Sequence, residues 1–139
     1  MQRNLIGRAV LTLGAAVAVV GTFLPWLRSG SRQRNSYEIF SLVDRLGFAT
    51  SSLVGWGLRL WPVVPFLLAL AVTLQWFPRK WLTGASAVLA VIYVGGVAVA
   101  VETAPTSSLI AVEYGPWVVL AGVVIFAIGA FVHQPPDER

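Results

Sequence analysis

Three arginines fall within seven residues at Arg28, Arg32 and Arg34, and Glu38, Asp44, Arg45 and Arg59 follow, in a chain of 139 residues that is 57% hydrophobic and 12% charged. Arginine's planar fork offers paired N–H donors that match a phosphate or a carboxylate. The group therefore reads in one of two ways: as an anchor of helix ends to lipid phosphates, or as a recognition surface for an anionic envelope component or a partner protein. Other chemistries lack their residues. The sequence has no Cys, which excludes disulfides, thiolate metal sites and thiol nucleophiles. Its one histidine, His133, stands beside "QPPDER" without a ligand partner nearby in sequence, so neither a metal nor another cofactor is expected. No nucleophile motif and no phosphate-cradling glycine loop occurs, and no catalytic residue is assigned.

The elements that must carry these arginines are set by hydropathy. A mean hydropathy of +0.77 is far above that of a soluble domain of this length. Four apolar runs, at about residues 7–27, 58–77, 81–101 and 116–132, are each of the length that crosses a hydrocarbon core of roughly 30 Å as a helix. The expected fold is an all-α membrane protein: a single four-helix domain over residues 1–139, with segment 28–57 between the first two helices and a short tail at 133–139. The formal charge of +4 does not point to nucleic acid, because the basic residues sit at the ends of apolar runs rather than on a hydrophilic fold.

Tryptophan marks the ends of these runs. Its ring prefers the headgroup region, and Trp26, Trp56, Trp61, Trp76, Trp81 and Trp117 all lie within a few residues of a proposed span end. They are expected to be interface anchors. Pro116 suits the first turn of the fourth helix, Pro78 closes the second, and Pro62 and Pro65 should loosen or bend the start of the second. The first run is too long for a signal-peptide core and has no small-residue cleavage site at "VVGTFLPW", so it is read as a retained helix.

Glycine recurs every seventh residue at Gly7, Gly14 and Gly21, and again at Gly115, Gly122 and Gly129. That interval keeps one face of a helix aligned with a left-handed partner, and small residues let helices approach in lipid. Helices one and four are expected to pack on these faces.

Segment 28–57 allows two readings. Ser36 as N-cap, Glu38 in the first turn and Gly47 as terminator frame a short amphipathic helix with Ile39, Leu42, Val43 and Leu46 on one face. Alternatively, "FLPWLRSG" and "RQRNSYEIF" form the arms of a β-hairpin.

Four spans put both termini and the Arg79–Lys80 turn on one side of the membrane. Arg3, Arg8, Arg79, Lys80 and Arg139 on that side balance Arg28, Arg32, Arg34, Arg45 and Arg59 on the other, so the positive-inside rule does not decide by totals. The short basic turn at Arg79–Lys80, set against Glu102 and Glu113 in the last loop, favours cytoplasmic termini.

The pattern "FLPWLRSGSRQRNSYEIF", followed by "DRLG" and later by "GPWVVLAGVVIFAIGA", resembles small four-pass membrane proteins of actinobacteria, mycobacteria included. The resemblance implies cytoplasmic termini in the plasma (inner) membrane and an arginine-rich segment outside, and it transfers no catalytic residue. The expected function is that of a non-enzymatic accessory or scaffold subunit of a cell-envelope complex. Its partners would be membrane lipids and another integral membrane protein or a second copy, with no nucleic acid. The alternative is a small oligomeric transporter or channel for a small molecule or lipid.

Overall fold

Proline decides where the first helix stops. In the computed structural model, which describes residues 2–45, 57, 59–76, 80–103 and 110–132, helix α1 runs Gln2–Phe23. Pro25 drives the residue before it out of the helical region, and the chain continues extended as strand β1, Pro25–Ser29. The last residues of the expected 7–27 span therefore belong to a strand.

Gly30, with φ of +60°, makes the reversal, and β2, Arg32–Asn35, returns antiparallel with Ser29 opposite Arg32. A two-residue loop with glycine at its first position matches the right-handed twist of the strands it joins. Helix α2, Ser36–Arg45, follows immediately. Segment 28–45 is thus a hairpin and then a helix, not one or the other. A third strand, β3, Ile110–Val112, pairs with the free edge of β1, which gives the order β2-β1-β3. Gly47 and Trp56 lie outside the described residues, as do Pro78, Arg79 and the tail from His133 onward.

A 3-10 turn at Trp61–Val63 leads into α3, Val64–Leu74, with Pro62 and Pro65 in its opening turns, where a missing N–H costs no helical bond. Helix α4, Lys80–Ala90, passes through one π turn, Val91–Gly95, into α5, Gly96–Glu102. Helix α6, Gly115–Val132, closes the fold, with Pro116 in its first turn.

The protein is mostly helical, and among the described residues three stretches are long and apolar enough to cross a membrane: Leu5–Phe23, Gly84–Glu102 and Gly115–Val132. The described helix within the expected 58–77 span covers Trp61–Leu74, about 21 Å against roughly 30 Å of hydrocarbon. Leu13, Val20, Phe66, Leu70, Leu89, Ile92, Ile128 and Phe131 all point outward. Helices apolar on every side suit a lipid surrounding.

The tightest packing joins α1 to α6, which run antiparallel. A Cβ added at Gly14 would lie 2.2 Å from the Phe126 nitrogen, at Gly122 2.3 Å from the Ala18 nitrogen, and at Gly129 2.3 Å from the Leu11 nitrogen. Backbone meets backbone along the seam. At Gly21 the same atom would meet Val119 at 2.7 Å, and Gly7 is buried on the same face. By contrast, Gly84 and Gly96 face open space. Between the seam and the remaining helices lie Val64, Leu68 and Ala71 of α3, Val94 of the π turn, Ala98 of α5, and Val123 of α6, all buried.

Candidate functional site

The hairpin, β3 and α2 form a cap over one end of the helices, and a buried knot of hydroxyls and indoles holds it there. Because Pro25 turns the chain, Trp26 folds back over the end of α1 and its indole N–H donates to the Gly21 carbonyl at 2.8 Å. Gly115, at the start of α6, leaves the room: a Cβ there would lie 2.3 Å from the Trp26 ring. Ser36 Oγ donates to the Thr22 carbonyl at 2.6 Å and accepts from the Trp61 indole N–H at 2.8 Å. Thr22 Oγ1 donates to the Val19 carbonyl at 2.7 Å. Its single proton is then used, so the Tyr37 hydroxyl, 2.9 Å away, is the donor to it. Burial pushes the Tyr37 phenol above its ordinary pKa.

Around this knot the rings of Trp26, Phe40 and Trp61 meet edge to face at centroid distances of 5.1 to 6.0 Å, the arrangement that aromatic quadrupoles favour. Tyr93, carried by the π turn, packs on Trp61 and donates its hydroxyl to the Gly57 carbonyl.

Trp26 and Trp61 are therefore not interface anchors. Both are fully buried, because the Pro25 turn and the Ser36 hydroxyl draw them beneath the cap. Trp76, Trp81 and Trp117 stay exposed, at 67, 71 and 59%.

Helix α2 begins one residue earlier than Ser36 suggests. The Asn35 side chain accepts from the Glu38 N–H at 3.0 Å, while the Glu38 carboxylate accepts from the Asn35 N–H at 3.2 Å. This reciprocal pair is a capping box, and it frees Ser36 for the buried knot.

On the outer side of the cap, Arg32 and Arg34 stand two apart on β2, which puts them on one face of the strand. Glu38, Leu42 and Arg45, spaced four and three apart, share one face of α2. The two faces meet in an open groove of about 340 Å³, lined also by Gln33 and Ser41. Glu38 is committed to the helix cap, and among the described residues no carboxylate lies within ion-pairing distance of Arg32, Arg34 or Arg45. Arg45 also closes the last turn of α2, where a cation complements the helix dipole.

The other candidates do different work. Arg28 Nε lies 3.0 Å from Glu113 Oε1, tying β1 to the residue after β3. Arg59 Nε lies 3.0 Å from Asp44 Oδ1, tying the approach to α3 to the end of α2. So of the seven charged residues picked from sequence, Arg32, Arg34, Glu38 and Arg45 converge, while Arg28, Asp44 and Arg59 brace the cap. Sequence reasoning missed Thr22, Tyr37, Tyr93 and Glu113. Only the Asn-Ser-Tyr-Glu run at 35–38, an N-x-x-E capping pattern, carried a local signal for any part of this arrangement.

Among the described residues no cluster of His, Asp or Glu is placed to hold a metal ion. No protein-family model matches the chain, and comparison with curated proteins and with solved structures found no match.

Proposed function

We propose that this is a four-pass protein of the plasma membrane with cytoplasmic termini, serving without catalysis as an accessory or scaffold subunit of a cell-envelope complex and holding an anionic group of its partner in the arginine groove. The observation that carries the reading is the convergence of Arg32, Arg34 and Arg45 on one groove of a rigidly mounted cap. Three guanidiniums against one committed carboxylate leave a net positive site whose donors suit carboxylate or phosphate.

The fourth crossing is supported by where α3 begins and ends. Trp61 is bonded to Ser36 under the cap, whereas Trp76 stacks on Arg8 near the opposite end of α1. The chain between them thus runs from one end of the bundle to the other. Cytoplasmic termini place the cap outside, in reach of envelope components.

The test is co-purification of the full-length protein after mild detergent extraction, with wild type beside the triple variant Arg32→Glu, Arg34→Glu, Arg45→Glu. A stoichiometric larger partner that the triple variant loses is the expected result. Capture unchanged by charge reversal overturns the role of the groove. A homo-oligomer with a polar central path and no second protein replaces the scaffold reading with that of a transporter or channel.

A further inference from the structure

At the end of the bundle away from the cap, Arg8 has no ion-pair partner among the described residues. Arg8 lies within the apolar Leu5–Phe23 stretch, three residues, or about 4.5 Å, in from its start. Its Nε is buried and has no acceptor among the described residues. The guanidinium is held over the Trp76 ring, 4.6 Å from the centroid, a cation–π contact that fixes its direction without supplying an anion.

From Arg8 a furrow of about 530 Å³ runs along the outside of α1 over Ala9, Leu13 and Ala16, with Trp76 as its other wall. Ala9, Ala16 and Leu13 are exposed, and the Thr12 hydroxyl in the furrow is already bonded to the Arg8 carbonyl at 2.8 Å. The furrow therefore has one polar end and an apolar body.

We infer that this furrow is a binding site for one anionic phospholipid, whose phosphate pairs with Arg8 beside Trp76 and whose acyl chain lies on Ala9, Leu13 and Ala16. An arginine near the end of a span extends its head toward the interface, where anionic headgroups lie, arginine binds phosphate through two parallel bonds, and an exposed tryptophan marks headgroup level. The site is separate from the arginine groove of the cap and does not depend on its function.

The test is native mass spectrometry of the full-length protein in detergent, titrated with phosphatidylglycerol and, in parallel, with phosphatidylcholine of identical chains. Wild type should retain one phosphatidylglycerol with a preference of roughly tenfold, the scale of one charge-assisted bond. Arg8→Gln should reduce that preference to parity, and Arg8→Lys should keep part of it. Ala16→Phe should weaken both lipids by filling the furrow. Val88→Ala, exposed on α4 and outside both the furrow and the arginine groove, should leave the preference unchanged, and thermal unfolding checks that every variant is folded.

Equal retention of both lipids by wild type, or an undiminished preference in folded Arg8→Gln, overturns the site. Displacement of the lipid by inorganic phosphate at matching concentration overturns the lipid assignment in favour of a free-phosphate site. Phosphatidylglycerol binding that appears only after removal of residues 133–139 overturns it in favour of the chain's own acidic tail.

Discussion

The α1–α6 seam and the cap knot hold adjoining parts of one molecule by different means. Along the seam, Gly14, Gly122 and Gly129 let backbones touch, with hardly a polar side chain involved. In the knot, Thr22, Ser36 and Trp61 exchange hydrogen bonds with backbone and with each other, and nearly every donor is matched. The difference follows the solvent. Lipid tails compete for apolar surface as well as any side chain does, so helices in lipid gain from close approach rather than from burial. A polar group taken away from water, by contrast, must find a partner. The seam is specified by shape, the knot by hydrogen-bond geometry.

The comparison is broken most severely at Gly122. Gly122→Leu forces a side chain into the Ala18 backbone and should cost more than about 3 kcal/mol, seen as loss of cooperative thermal unfolding in detergent. Gly96→Leu, which points into open space, should melt within a degree or two of wild type. If both variants behaved alike, close approach would not be what holds the seam.

Next comes Ser36→Ala, which strands the Trp61 N–H and the Thr22 carbonyl together. The expected loss is about 2–3 kcal/mol, with a changed near-ultraviolet dichroism from the two indoles and with helix content kept. Smaller again is the Arg28–Glu113 pair. Both side chains reach solvent, so a double-mutant cycle should give a coupling below about 1 kcal/mol that fades with salt.

The smallest effect is a pH dependence carried by Tyr37. Its phenol is raised above the ordinary value by burial, so the unfolded chain releases this proton first as pH rises. Stability should be flat across neutral pH on this account and fall once pH passes about 10. Tyr37→Phe should flatten that decline, as followed by unfolding at a series of pH values.

Much of the seam could be read from the chain because helices impose a fixed period. Residues seven apart share a face whatever surrounds them, so Gly14 with Gly21 and Gly122 with Gly129 could be placed on faces from spacing alone. The arginines of the groove were also visible as a group. What could not be read was their division, because it depends on partners distant in sequence: Glu113 meets Arg28 only after β3 has paired with β1. Trp26 and Trp61 were misplaced for a related reason. Hydropathy reports how far along a span a ring lies, not whether a turn such as that at Pro25 folds it inward. Ser36 is as good a helix cap as Asn35 by residue type, and only its buried bonds to Thr22 and Trp61 show why the cap lies one residue earlier.

Strand β3 has a consequence for the order of assembly. It pairs with β1, and α6 packs on α1, yet β3 and α6 follow all the other described elements in the chain. As synthesis proceeds toward the C-terminus, α1 and the hairpin emerge first and then wait with a bare glycine face and an open strand edge while α3, α4 and α5 are made. The ring of contacts closes last. A ribosome-bound chain halted before residue 110 should therefore leave Gly14 and Gly21 uncovered, a state that cysteine labelling at those two positions would detect.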